Sequence, residues 1–306
     1  MPTSARARWA LLLAVPATTL GVALGWALAA GQDQHADTLV RAATDGLAAT
    51  VLGLGLLPRL NGTAVPWRVA AGVAAVWTVL EILLLVLAAG AADDVGPGGL
   101  SLAEFGEFVT GLSTGRVDAL VTSCAAAAAG YAAWSYRGSA VRSADPVVAL
   151  SAIGLVLRPV TGHLSQQPFG SLLGAAHTLA AAAWFGLLVA ISLVARSRRD
   201  WAALLPAYST WALRCVAVVA ASGVVNALVR EGSLAAFVDT GYGRMLLAKV
   251  VLLTGLVGLG WWWRRTWVRP AAEHRVDAEV SLRRAVGEVA AMAVVFGLAA
   301  ALATAA

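Results

Sequence analysis

The sequence predicts an all-α protein: a polytopic transmembrane helical bundle of about nine helices, amino terminus in the cytoplasm and carboxyl terminus outside. Three observations carry this. Of 306 residues, 59% are apolar and 13% charged, whereas a soluble chain uses about 25% charged residues. The mean hydropathy is +0.77, and apolar runs of about 20 residues recur, the length that crosses about 30 Å of hydrocarbon. No run alternates with a period of two, which argues against a transmembrane barrel. The 31 glycines and many alanines suit helices whose backbones approach closely in lipid.

The first run, 9–30, follows Arg6 and Arg8 and ends in Ala-Leu-Ala-Ala-Gly. That pattern also fits a signal peptide, but the run is longer than the usual apolar core of one. A retained anchor is expected; cleavage would leave eight helices. The next runs are 37–57, 67–89 and 116–136, then 146–164, which contains Arg158 and Pro159. The last four are 171–195, 204–230, 243–263 and 282–304. A division at 144/145 gives a four-helix region, 1–144, and a five-helix region, 145–306.

Orientation follows from the connections. One set carries Arg59 and Arg68, Arg137 and Arg142, Arg196, Arg198 and Arg199, and Arg264, Arg265, Arg269 and Arg275. The alternate set has almost no basic residue and instead holds Asp93, Asp94, Glu104 and Glu107. The Arg-rich side is the expected cytoplasmic side. The net charge of +5 is thereby explained by topology, and no nucleic-acid partner is expected; the lipid bilayer is. Residues 101–112 predict a short surface helix with Leu102, Phe105, Phe108 and Val109 near one face.

Ionisable residues inside spans are costly and mark interiors or cavities. Arg41 and Asp45 can pair at i, i+4. Glu81 lies mid-span in the third run, Arg116 and Asp118 open the fourth, and Arg158 and Lys249 fall in the outer halves of the fifth and eighth. Arg214 and Glu288 lie nearer the cytoplasm. Of four histidines, His274 is in a cytoplasmic loop and His35 in the first outer loop. His163 closes the fifth run, and His177 lies about 9 Å into the sixth at 1.5 Å per residue. These last two come from adjacent antiparallel helices at similar depth, an arrangement open either to a metal site or to packing. Imidazole suits copper, zinc, iron and nickel alike. Met245 offers one soft ligand, Met292 reads as core, and Cys124 and Cys215 read as buried small hydrophobes.

From Gly162 onward the sequence resembles the membrane domain of the copper resistance protein D (CopD) family. The matching pieces are Gly162-His163, then His177 with Trp184 and Gly186, Ser222-Gly223 with Asn226, Thr240-Gly-Tyr242-Gly243-Arg244 through Lys249, and Leu282-Arg283-Arg284 through Glu288. The His–Trp–Gly and Tyr-Gly-Arg segments are the specific ones. The first half is similar, more loosely, to the amino-terminal helices of long actinobacterial members, here without the oxidase assembly domain that some of them carry.

The resemblance implies copper homeostasis at a bacterial cell membrane, with copper ion taken at the outer face. The expected ligands are His163 and His177, joined by His35 or Met245. Asp45, Glu81, Arg158, Asn226, Tyr242 and Lys249 would flank the site or line a path inward. No nucleotide-binding loop or phosphorylatable Asp motif is present, and no enzyme activity is expected. The alternatives are a metallochaperone or assembly factor delivering copper to oxidase or secreted copper enzymes, a b-type haem protein, and a structural subunit. A periplasmic or extracellular copper-binding protein is the expected protein partner.

Overall fold

The apolar runs become helices in the computed structural model, which describes residues 5–29, 37–96, 99–161, 170–231 and 239–304. A turn at Ala5–Arg8 and a 3₁₀ stretch at Trp9–Leu13 lead into α1 (Ala14–Ala29). Then follow α2 (Asp37–Leu56), α3 (Trp67–Ala92), the short α4 (Leu102–Gly111), α5 (Ser113–Arg137) and α6 (Asp145–Thr161). The second half holds α7 (Gly170–Val194), α8 (Arg198–Glu231), α9 (Gly241–Trp263) and α10 (Ala278–Thr304). No strand occurs among the described residues.

Seven helical stretches among them are long and apolar enough to cross a membrane. The two other expected spans are helical but differ in kind. α5 has 25 residues, but Arg116, Asp118 and several hydroxyl residues dilute its apolar character. α6 has 17 residues and carries Pro159 inside its last turn; the rest of its expected run, with His163, lies outside the described residues, as does His35.

α2 sits at the centre, packed by α1, α3, α6, α7 and α10. Its middle is almost wholly buried, from Ala48 through Leu57. Helices from 1–144 and from 145–306 thus contribute to one core. The closest approach is α2 on α7. A Cβ built on Gly186 would stand 1.8 Å from the Ala49 carbonyl oxygen, and one on Gly53 2.1 Å from the Gly186 carbonyl. α1 and α10 meet the same way: a Cβ on Gly297 would lie 2.1 Å from the Thr18 oxygen. Lipid supplies no hydrophobic drive between helices, so backbone-to-backbone packing of this kind holds the bundle.

α9 is peripheral, touching chiefly α1 and α10. Its Val250, Val251, Val257, Trp261 and Trp262 face outward, as lipid-covered side chains would. After it, the helix continues through a π turn at Arg264–Val268. Trp267 there is buried, donates from Nε1 to Ser281 Oγ at 3.1 Å, and packs on Trp201 and Trp263.

The short helix expected at 101–112 is α4, opened by a capping box in which Ser101 and Glu104 bond each other's backbone N–H. Phe105, Phe108 and Val109 pack on Leu85 and Ala89 of α3. Leu102 does not share that face; it is 91% exposed. Arg116 at the start of α5 donates to the Thr110 and Gly111 carbonyls, satisfying the end of α4 and fixing the α4–α5 corner.

Replacing Gly186 by Val should cost about 1–3 kcal/mol by overpacking and lower the unfolding midpoint in mixed micelles. Gly130, with nothing within 4 Å of a built Cβ, should accept Ala with a gain of about 0.5–1 kcal/mol. Equal effects at the two positions would show that the α2–α7 contact is not as close as described.

Candidate functional site

Three polar clusters lie inside the bundle. The first is built on Arg158 of α6, near the end of the bundle that carries α4. Its Nη2 bonds Glu81 Oε2 of α3 at 2.7 Å, its Nη1 bonds Glu81 Oε1 at 3.3 Å, and its Nε bonds Asp118 Oδ1 of α5 at 2.8 Å. Trp77 Nε1 donates to Glu81 Oε1 at 3.0 Å. The Arg158 and Glu81 side chains are 9% and 1% exposed, so neither is answered by water. Asp45 of α2 feels Arg41, Arg158 and Glu81, and with Arg41 it stands beside the pair rather than in an ion pair of its own. Arg158 and Asp118 line one wall of a cleft of about 370 Å³ with Arg41, Asp37 and Phe108. Glu81, Asp118 and Arg158 therefore fix α3, α5 and α6 to one another.

The second cluster centres on His177 of α7. Ser222 of α8 donates its single hydroxyl proton to the Val218 carbonyl at 2.6 Å. Its oxygen lies 2.9 Å from His177 Nδ1, a contact that orients the ring. A proton on Nδ1 would leave Nε2 the lone pair with which imidazole binds metal. Gly223 leaves room for the ring, a built Cβ lying 3.8 Å from His177 Cε1. Lys249 of α9 is the nearest cation acting on the ring.

The third cluster lies further in, two helical turns along α7 and two to four along α8. Trp184 is seven residues after His177 on α7, and Cys215 and Tyr208 are seven and fourteen before Ser222 on α8. Tyr208 Oη donates to Glu288 Oε1 of α10 at 3.3 Å. Trp184 turns Nε1 toward the same pair but has no hydrogen-bond partner in good geometry. All four residues are buried. The polar groups of α7 and α8 thus form a ladder along one helix–helix seam.

Other expected site residues stand apart. Met245 is fully buried among Ala29, Leu298 and Leu302, which makes it a packing residue between α1, α9 and α10. Tyr242 packs against the same group. Thr240 caps α9 by accepting from Gly243 N at 2.9 Å, and Arg244 Nε reaches the Leu28 carbonyl at 3.1 Å. The Tyr-Gly-Arg segment therefore joins the start of α9 to the end of α1. Asn226 lies on α8 beyond Ser222, its side chain outside the described part. Among the described residues no group of three or more His, Cys, Asp or Glu is placed to hold a metal ion. Tyr208 was not singled out from the sequence, and Trp184 entered only through the family resemblance; the seven-residue spacing shared with Ser222 and His177 is the signal that marks them.

The helices and their buried charges define a multi-pass membrane protein. The family model of copper resistance protein D matches residues 202–302, so the chain is similar to that family over most of α8, all of α9 and nearly all of α10. The match begins after α7, so His177 and Trp184 lie ahead of it. No curated protein and no solved structure was found similar to the chain.

Two outcomes are expected here. Arg158→Met leaves Glu81 and Asp118 buried without a counter-charge and should cost about 3–5 kcal/mol, read from unfolding in mixed micelles. Adding Glu81→Met should recover part of that loss, and strict additivity would show that the pair is not coupled. At α4, the Ser101 backbone N–H and then its hydroxyl hold the exposed Glu104 carboxyl below the usual range. A lowered folded value means that the cap stabilises α4 above the unfolded carboxyl's range and that this support fades as pH falls through the folded one. Amide exchange at 102–105 should accelerate on acidification, and Glu104→Gln should abolish that dependence.

Proposed function

We propose that the chain binds copper at the outer face and moves it across the cytoplasmic membrane of a bacterial cell. Nine helices, an inside amino terminus and an outside carboxyl terminus follow from the alternation of Arg-rich and Arg-free connections. This orientation puts α4, the charged cleft and His177 on the outside. His177 supplies one ligand through Nε2 and His163 a second; His35 is a further donor available from the first outer loop. Tyr242, Met245 and Lys249 shape the α9 wall rather than coordinate, and Asp45, Glu81 and Arg158 support the outer half of the bundle. The path inward runs down the α7–α8 seam, past Asn226 at its mouth and then Cys215.

The observation that carries this reading is the hydrogen bond between His177 Nδ1 and Ser222 Oγ. A ring whose second nitrogen is held by a hydrogen bond is oriented for a metal, and loss of such a bond costs about 10–100-fold in affinity. Imidazole with few sulfur donors accepts either copper oxidation state. A periplasmic or extracellular copper protein is the partner that such an outer site would meet.

Purified protein in detergent, titrated anaerobically with Cu(I) and separately with Cu(II), should bind about one copper in one of the two series. His163→Ala and His177→Ala should abolish that binding, and Ser222→Ala should weaken it about 10–100-fold. Equal, weak binding in all four proteins would make these histidines packing residues and end the proposal. In sealed vesicles, copper movement separates transport from delivery: a metallochaperone would bind with the same pattern and move none.

A further inference from the structure

Two glutamates are buried in this bundle, and they are answered in opposite ways. Glu81 is bound by the Arg158 guanidinium and by Trp77. Glu288 is 7% exposed, and no Lys, Arg or His among the described residues lies within 4 Å of it. Its partners are neutral donors. Tyr208 Oη is bonded to Oε1, and Trp184 Nε1, on a residue itself 7% exposed, faces the pair with its N–H unsatisfied.

Two neutral donors around a carboxyl make a site with two tolerable states. With a proton, the group is uncharged and suits a low-dielectric interior. Without it, the Tyr208 O–H and the unsatisfied Trp184 N–H are both there to bond the oxygens. A cation in the same place would favour the second state outright.

The surroundings agree. The groups that face the site are Tyr208 and Trp184, with Cys215 acting on Tyr208. Packed against α10, α1 has no ionisable side chain, and the turn before it directs Arg8 to the Leu193 carbonyl; on α2, Asp37 and Arg41 line the charged cleft and Asp45 stands beside the Arg158 cluster. On α7 the ionisable residue is His177, two turns away; on α8 Arg214 points outward, and on α9 Lys249 stands beside His177. Arg284, one turn away on α10 itself, is turned to the Thr266 carbonyl.

We propose that Glu288 is a proton-exchange site and the group that couples proton movement to copper movement. In the exchange the carboxyl O–H bond breaks, the proton passes to a water molecule, and the carboxylate stays bonded to Tyr208 and Trp184; the return step reverses this. The ladder connects the site to His177. Ser222, Cys215 and Tyr208 repeat every seven residues along α8, about 10 Å per step at 1.5 Å per residue. A cation at His177 and a proton at Glu288 therefore share one seam, spanning about 10 Å along α7 from His177 to Trp184 and about 20 Å along α8 from Ser222 to Tyr208. The coupling rests on the copper-transport reading above; the proton site itself does not.

The test has two parts, on the full chain in lipid. Infrared difference spectra across a pH titration should show a protonated-carboxyl band that disappears in Glu288→Gln and shifts in Tyr208→Phe, which keeps the fold and removes one donor. Difference spectra of Glu288→Gln identical to the wild type's would overturn the proton site, whether or not copper is moved. In vesicles with the membrane potential clamped, exchange of one proton per copper makes a gradient of about one pH unit shift the steady-state copper distribution about tenfold. Glu288→Gln should bind copper as the wild type does and lose that shift. An unchanged shift in Glu288→Gln would overturn the coupling. Wild-type vesicles that move no copper would defeat the transport reading and the coupling built on it, while the infrared result still decides the proton site.

Discussion

Arg158 is held by Glu81 and Asp118 at once, and the half of the bundle that carries α4 is arranged around that contact. Lipid offers no counter-ion, so a guanidinium placed inside the bundle has to find its carboxylates on neighbouring helices. Meeting that demand ties α6 to α3 and α5 and leaves α2 wrapped by all three sides of the resulting core. The α2–α7 approach through Gly53 and Gly186 then sets where α7 lies, and with it the heights of His177 and Trp184. The site is thus positioned by a charge constraint on one side and a backbone contact on the other.

Buried charges in the rest of the molecule are treated differently. Glu288, which comes from the family-matched segment, is given donors and no cation. A bundle that had merely to be stable would gain nothing from a carboxyl there, since an apolar residue of similar size would pack without the desolvation penalty. The matched segment, 202–302, supplies α8, α9 and α10, whereas His177 and Trp184 stand on α7 ahead of it. Both rungs of the ladder therefore need a helix from outside the matched residues.

Much of the fold was legible because apolar runs and the spacing of arginines are local properties. All nine runs are helices among the described residues, though α5 and α6 fall short of the other spans in apolarity or length. Partner choice was much less legible. Glu81, Asp118 and Arg158 were each placed in a membrane span, but their bonding joins residues 40 and 77 positions apart, which no local rule specifies. Arg41 and Asp45 satisfied the i, i+4 rule and yet serve a larger cluster. Met245 had the right chemistry for a ligand and the wrong neighbours, since it fills the space between α1 and α10. His177 was found from its residue type; the hydrogen bond that orients its ring required knowing that Ser222 faces it.

The π turn at Arg264–Val268 has a consequence for how this helix is built. A π turn holds one residue more than the regular winding would, so the Trp-rich lipid-facing stretch before it and the Arg-rich tail after it are out of phase by about 100°, one residue's rotation. Trp267 reaches Ser281 only because of that offset. The extra residue acts as a wedge in a screw thread: without it the tail would rotate, Trp267 would leave Trp201, and the arginines beyond would point along a different compass bearing at the membrane surface.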